Sequence, residues 1–311
     1  MMRQNLYQKT IYELQSHGFS VETFFDSNSS FDVIARREEL VLIVKILSNI
    51  DALRNEHATD LKKLARAFHA HPILIGEKSK VFHLDPHTLY ERYDVPVLSI
   101  EGFEALLDSQ LPLMRSFKGK NVVELDAEKL RAEREAHAYT LKSLSEKAHV
   151  SSESLHRYEH GSPADLDTAQ RLEKILSTKL IRGINVFEAA TYPPALENEP
   201  VLNDALEQLR DLGLKLSVFQ RAPLTAAGVE EHPLLISHAE TKKLAAKKAV
   251  LLKKTQRIVH QPGFILSHET TRSMDVPVVN VDELSTFSNI EDVLHVLRER
   301  MDTLRKKKEK S

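Results

Sequence analysis

The chain writes out much of one pattern twice. ELQSHGFSVETFF, Glu13 to Phe25, is matched by QLRDLGLKLSVFQ, Gln208 to Gln220: Leu14, Gly18, Phe19, Val21 and Phe24 face Leu209, Gly213, Leu214, Leu216 and Phe219. Further on, HPILIGE is echoed by QPGFILSHE, and YDVPVLSIEGFEAL by MDVPVVNVDELSTF, in the same order. Three ordered matches predict two related supersecondary blocks with other material between them.

The hydrophobic periodicity identifies the blocks. In residues 1–118 a helix is predicted from Gln4 to Ser16, followed by the strand-like runs FSVETFF, FDVIAR and ELVLIVKIL, separated by the polar DSNSS and the charged REE. A helical stretch follows, with Leu53, Ala58, Leu61, Leu64, Ala65 and Phe68 near helical spacing, and then two short strands, PILIGE and VPVLSI. Strands alternating with helices predict an α/β layer structure here and in residues 204–311. Between them, residues 122–182 read as all helix, and 183–203 as a linker whose TYPPALENEP carries Pro193, Pro194 and Pro200.

A chain of 311 residues accommodates such a set of domains, and 41% hydrophobic with 28% charged residues marks a soluble globular protein. The absence of cysteine excludes disulfides, thiolate metal sites and thiol catalysis, and it suits a reducing cytoplasm. The N-terminus has no apolar targeting core, and no apolar run reaches the roughly 18 residues that a membrane span requires. A cytoplasmic protein without membrane contact is expected.

The middle segment carries the punctuation of a helix-turn-helix. A helix from Asp126 to His137 presents Leu130 and Arg134, and Thr140 is suited to cap a second helix, LKSLSEKA, with Leu144 and Ala148 inward. After the turn AHVS, with Val150 at the bend, Ser151 caps a third helix that buries Leu155 and Tyr158 and ends at Gly161. A fourth helix, LDTAQRLEKIL, closes the core with Leu172, Ile175 and Leu176.

This spacing resembles the lambda-repressor/Cro class of DNA-binding domain, in which the third helix enters the major groove. Carried onto this sequence, the resemblance nominates Ser151, Ser152, Glu153, Ser154, His156 and Arg157 for base edges, with Thr140 and Lys142 against phosphate. Arg157 is the strongest candidate, since a guanidinium pairs bidentately with guanine or holds phosphate. Two positions where the class favours glycine hold His149 and Ala138 instead. The charge is also unusual for a DNA reader: net −2 overall, and nine Lys or Arg against ten Asp or Glu from Asp126 to Lys179.

FDVIARREELVLIVKI resembles the core of the restriction-endonuclease-like fold, where an Asp and a Glu-x-Lys on adjacent strands hold a divalent metal. Residues two apart on a strand share a face, so Glu and Lys would converge beside the Asp. Here Asp32 and Lys45 are in place but the Glu position is Ile43, which leaves a poor site for a hard cation. In the second block the matching strand reads PLLIS. Both blocks are therefore expected to be catalytically silent, with Asp32 and Lys45 as vestiges or an ordinary ion pair. Glu22 is the residue that would substitute as a ligand if a nuclease survives.

From Glu240 to His260 there are seven Lys or Arg against one Glu. On a helical wheel Lys242, Lys243, Lys247, Lys253, Lys254 and Arg257 share one arc, with Lys248 and Val250 breaking the division. This is either a solvated helix face or an auxiliary phosphate-contacting surface, to which the tail RKKKEKS would add. The 15 histidines include His156 with His160 and His69 with His71, but no third ligand accompanies either pair, so no metal is expected. There is no glycine-rich phosphate loop, and no cofactor is expected.

The whole arrangement is similar to a family of archaeal helix-turn-helix transcriptional regulators: two related nuclease-like α/β domains flanking a Cro/C1-type all-α bundle. The resemblance implies a non-enzymatic, sequence-specific regulator of transcription that binds double-stranded DNA and answers an unknown effector. A homodimer would set two third helices about 34 Å apart. The alternatives are a metal-dependent nuclease or repair factor targeted by the helix-turn-helix, and an adaptor that binds protein only.

Overall fold

The computed structural model describes residues 2–24, 29–117, 119–187, 203–269 and 274–308. Pro193, Pro194 and Pro200 of the expected linker, and the last residues of the basic tail, lie outside the described residues. Along the chain the elements are α1 (Met2–Ser16), β1 (Ser20–Thr23), β2 (Val33–Arg37), β3 (Leu40–Asn49), α2 (Asn55–Ala67), β4 (His71–Lys78), β5 (Thr88–Arg92), β6 (Val95–Ser99) and α3 (Ile100–Leu107). Next come β7 (Met114–Phe117), β8 (Lys120–Leu125), α4 (Ala127–Ala136), α5 (Leu141–Ala148), α6 (Ser152–Tyr158), β9 (Ala164–Asp165), α7 (Leu166–Leu176) and β10 (Ile181–Arg182). The last third contains α8 (Asp204–Asp211), β11 (Leu216–Val218), β12 (Ala226–Gly228), β13 (Leu234–Ala239), α9 (Lys242–Val259), β14 (Gly263–Ser267), β15 (Val278–Asn280), α10 (Val281–Leu284) and α11 (Ile290–Lys308).

These elements form two compact units that interleave along the sequence. The first takes residues 1–13, 47–52 and 74–190, the second 14–46, 53–73 and 191–311. In the first unit β4 and β6 run parallel (Leu74↔Val97), β6 pairs β5 antiparallel, and the ladder continues through β7 to β8. β8 is then paired by β9 (Val123↔Ala164) and β10 (Ile181↔Leu125). Val123 and Leu125 of β8, with Leu180 just before β10, join Leu130, Leu144, Ala148, Leu155, Leu172 and Leu176 of the helices in one buried core.

The middle segment is therefore not all helix, as its sequence had suggested. β8, β9 and β10 frame the bundle, and β9 and β10 are two residues each, too short to show a period-2 pattern. Their pairing is long-range, so no local signal marks them.

The second unit holds the antiparallel ladder β1–β2–β3 (Thr23↔Val33, Ile34↔Ile43) and a five-stranded sheet, β11–β12–β13–β14–β15. In the latter, β11 to β13 are antiparallel, whereas β13, β14 and β15 are parallel (Ile236↔Phe264, Ile265↔Val278). Ile236, Phe264, Leu266 and Val279 pack with Leu206, Leu209 and Val293 from α8 and α11 on one face. α9 packs against β13 and β14.

The two ladders meet through equivalent bonds. Lys63 Nζ on α2 donates to the carbonyl of Val218, the last residue of β11, at 3.3 Å. Lys254 Nζ on α9 donates to the carbonyl of Thr23, the last residue of β1, at 3.0 Å. Each helix thus reaches the first strand of the other ladder, and Gln261 Nε2 adds a bond to Ala67 O at 2.9 Å while Arg36 Nη1 reaches Ile258 O at 3.3 Å.

Candidate nucleic-acid interface

The helix-turn-helix is held by its caps. Asp126 accepts from Lys129 N at 3.0 Å to start α4. Thr140 and Ser143 form a reciprocal capping box at the start of α5, with Ser143 N to Thr140 Oγ1 at 3.0 Å and Thr140 N to Ser143 Oγ at 2.9 Å. Ser151 accepts from Ser154 N at 3.0 Å at the start of α6, and Asp165 from Thr168 N at 2.9 Å at the start of α7. The turn residues behave as their identities warned: Ala138 (φ 54°) and His149 (φ 55°) are both left-handed. Gly161, at φ 84°, takes the same region without a Cβ to strain.

A buried ion pair locks α6 against α4. Arg134 Nε lies 2.6 Å from Glu159 Oε1 and Nη2 lies 3.1 Å from Oε2, with side-chain exposures of 11% and 4%. Arg134 Nη1 also donates to Tyr139 O at 3.0 Å, closing the turn before α5. Across the core, Arg171 Nε satisfies the Ala148 carbonyl at the end of α5 at 3.1 Å. Burial pulls the Glu173 carboxyl up, but the backbone N–H groups of Ile181 and Leu180, helped by Lys179, leave it below its ordinary range and tie α7 to β10.

The nominated residues separate into two groups on this frame. The hydroxyls of Thr140 and Ser151 are used as caps, Ser152 Oγ lies 2.9 Å from Ser145 Oγ on α5, and Ser154 is half-buried. Lys142, Glu153, His156 and Arg157 are exposed, with Arg157 Nη2 3.3 Å from Ser154 Oγ. The His156 and His160 rings stack at 4.1 Å, and His160 Nδ1 lies 2.7 Å from His156 O. A carbonyl only accepts, so that nitrogen carries the proton. Lys147, which the sequence had not singled out, lies 4.6 Å above the Tyr139 ring with its amine 2.8 Å from the phenol oxygen. Eight residues separate the two, across a turn, so no helical spacing announces the pair.

The basic helix also divides. Lys242, Lys243 and Lys247 are exposed. Lys253 pairs with Asp275 at 2.5 Å, Arg257 with Glu22 at 3.0 Å, and Lys254 reaches Thr23 O at 3.0 Å and Glu22 at 3.9 Å. In the C-terminal half of the basic arc, Lys254 and Arg257 thus tie α9 to β1, although the Arg257 side chain stays largely exposed, and Lys253 is taken up by Asp275. Glu22, the substitute ligand that a surviving nuclease would need, is engaged here by two cations. Lys248, the outlier on the helical wheel, points inward.

Asp32 and Lys45 occupy the nuclease positions as a buried pair. Lys45 Nζ lies 3.3 Å from Asp32 Oδ1 and donates to Ser29 O at 2.7 Å, while Ile46 N donates to Asp32 Oδ2 at 2.7 Å. Ile43, where a Glu would complete the metal site, is fully buried. His57 on α2 is buried nearby, and burial followed by the Lys45 charge holds its imidazole below the ordinary value.

The second ladder repeats this hydrogen-bond frame with different side chains. Phe24 N to Asp32 O and Asp32 N to Val44 O, both 2.9 Å, correspond to Phe219 N to Thr225 O at 3.0 Å and Thr225 N to Ile236 O at 2.9 Å. Ile46 N to Asp32 Oδ2 corresponds to His238 N to Thr225 Oγ1 at 2.9 Å. By that register Thr225 stands for Asp32, Leu235 for Ile43 and Ser237 for Lys45. An amine still arrives, from a different element: Lys248 Nζ on α9 donates to Thr225 Oγ1 at 3.1 Å and to His238 O at 2.7 Å. Burial drives that amine below its ordinary value.

Among the described residues, no cluster of three or more His, Asp or Glu has metal-binding geometry, and no helix is long and apolar enough to cross a membrane. Comparison with known proteins matches residues 3–112 to the PD-(D/E)XK superfamily domain and residues 130–181 to the helix-turn-helix family. A protein of Methanobrevibacter smithii is 30% identical over 97% of this chain and 99% of its own length, and one of Thermococcus kodakarensis is 31% identical over 96% of each. One from Archaeoglobus fulgidus is 28% identical over 95% of this chain and 97% of its own. All three carry the name "Putative HTH-type transcriptional regulatory protein". No solved structure matches.

Proposed function

Since the chain belongs to this archaeal family of HTH-type transcriptional regulatory proteins, we propose that it is a non-catalytic, sequence-specific regulator that reads the major groove with α6. The observation that carries this is the division of labour on that helix. Ser151 caps it, and Ser152, Leu155 and Glu159 tie it to the bundle, while the exposed Glu153, His156 and Arg157 take no part in those ties. Arg157 pairs with guanine or phosphate, Glu153 accepts from cytosine, and Lys142 meets phosphate. Thr140, Ser151 and Ser152 act first as caps and ties, and contact DNA through whatever acceptor capacity remains.

The functional domains in this reading are the nuclease-like segment 1–118, the reading head 122–182, the linker 183–203 and the C-terminal segment 204–311. The protein acts in the cytoplasm as a homodimer, two α6 helices about one DNA turn apart. The near-neutral reading head gains phosphate contacts from Lys242, Lys243 and Lys247, the exposed half of α9. A genome-wide binding map tests this. A shared sequence motif, lost in Arg157→Ala, is expected; diffuse recovery independent of Arg157 would replace the regulator with a protein-binding adaptor.

A nuclease is the second reading, and the PD-(D/E)XK match at residues 3–112 favours it. Against it stands the engagement of both Asp32 oxygens by Lys45 and Ile46 N, with Ile43 in the Glu position. Purified protein incubated with plasmid and Mg²⁺ or Mn²⁺ should leave it intact; cleavage that disappears in Asp32→Ala establishes the nuclease.

A further inference from the structure

The second α/β segment contains a cleft of about 650 Å³ lined by Asn203, Asp204, Gln208, His238, Glu240, His268, Asp282 and Ser285 among others. Its position is set by the sheet: Glu240, His268 and Asp282 follow the carboxyl ends of the parallel strands β13, β14 and β15. The crevice outside such ends is where open α/β sheets take ligands, and the volume suits a small molecule. The first ladder differs at this register: Ile46 stands where the second has His238, and Ile46 is fully buried.

The polar groups in the wall have fixed roles. Asn203 caps α8 by accepting from Ala205 N through Oδ1 at 2.8 Å, which leaves its NH₂ to donate to His238 Nδ1 at 2.8 Å. The neutral imidazole then carries its proton on Nε2, and that atom has no partner. Gln208 Oε1, an acceptor in the same wall, is also without one. Leaving buried polar atoms unpaired is costly, so a donor and an acceptor at one cleft gain from a ligand that pairs with both. The rim adds Asp204, Glu240 and Asp282. Asp204 and Glu207 already oppose the positive end of the α8 dipole, so the cleft favours cations over anions.

We propose that this cleft binds a small organic cation, an amine, amidine or guanidine with an adjacent hydrogen-bond acceptor, as the effector of the protein. The cationic group sits among Glu240, Asp282 and Asp204, and the acceptor takes the His238 Nε2 proton. A small adjustment of the His238 and Gln208 side chains brings their buried atoms to the ligand. The effector role, but not the binding, rests on the regulator reading.

4-Aminobutanamide, whose ammonium and amide carbonyl supply both groups, is the probe and glutarate its anionic control, titrated into the full chain by calorimetry and by imidazole ¹⁵N spectra. Saturable 4-aminobutanamide binding that shifts the His238 and His268 resonances is expected, weakened about tenfold by Glu240→Gln, as removal of one charged partner predicts. His238→Ile, which restores the residue of the first ladder, should abolish the binding with an unchanged circular dichroism spectrum. Silence at millimolar 4-aminobutanamide, equal binding of glutarate, or binding indifferent to both substitutions overturns the proposal. DNA affinity of the ligand-free protein is measured separately, so loss of the regulator reading and loss of this site are distinguishable.

Discussion

The two ladders share one backbone frame and bury a lysine amine in it by different means. In the first, Lys45 comes from β3 itself and is matched by the carboxylate of Asp32. In the second, Lys248 comes from α9 and donates to neutral oxygens, Thr225 Oγ1 and His238 O, and the Glu240 charge that acts on it does not offset its burial. The first arrangement keeps two members of a metal-and-lysine catalytic set and turns them on each other. The second has none of the three, and its cation comes from another element. What persists is a positive charge at the crossing of the strands, so this frame tolerates losing its chemistry more readily than losing its buried polar anchor.

The largest effect is expected at the charge-matched site. Asp32→Asn leaves Lys45 buried without a counter-charge and should cost about 3–5 kcal/mol in urea unfolding, whereas Asp32→Val with Lys45→Met recovers most of it. A single-mutant cost under about 1 kcal/mol would mean that the pair is incidental. At the second site Lys248→Met removes a charge already disfavoured by burial but orphans two acceptors, so the loss at neutral pH should stay below about 2 kcal/mol.

The two amines also differ in what pH does to them. Folded, Lys248 holds its proton less tightly than in the unfolded chain, because burial lowers its pKa. Folding therefore releases a proton in the window between the lowered value and the ordinary one. Stability rises with pH through that window, while below it the penalty is fully present. Denaturation curves at stepped alkaline pH should show this rise in the parent and not in Lys248→Met; parallel curves would remove the contrast between the sites.

The smallest effects belong to the reading head, where strain sits in turns and not in buried charge. Ala138→Gly should add about 1 kcal/mol by relieving a left-handed alanine. His149→Gly should add less, since histidine tolerates that region better than alanine does. If either destabilises the fold, the residue's side chain makes a contribution that outweighs its backbone cost.

What the sequence disclosed follows the range of each interaction. Thr140, Ser151, Gly161 and the apolar spacing of α4 to α7 act within a few residues, and all were readable. So were Asp32, Ile43 and Lys45, because strand alternation places them. β9 and β10 were not, being two-residue strands paired far along the chain. The anchoring of Lys254 and Arg257 was hidden because their partner Glu22 lies in the other half of the sequence, and that of Lys253 because Asp275 belongs to a different element. Lys248 did leave a trace, as a lysine on the apolar side of the wheel, and its exchange with the exposed Val250 marks where the helix turns inward. The cleft residues His238 and His268 left none, since they converge only at strand ends.

The bond from Lys254 to Thr23 spans 231 residues, and this gives the protein a schedule. As the chain is synthesised, the bundle from Asp126 to Arg182 has all its partners within reach as soon as it emerges, and domains fold as such units. The first ladder must wait for α9 before its outer strand is secured. A ribosome stalled just after the bundle therefore displays a finished reading head beside an unfinished scaffold, and a chaperone meeting that nascent chain would find its exposed strand edge in the half of the protein made first.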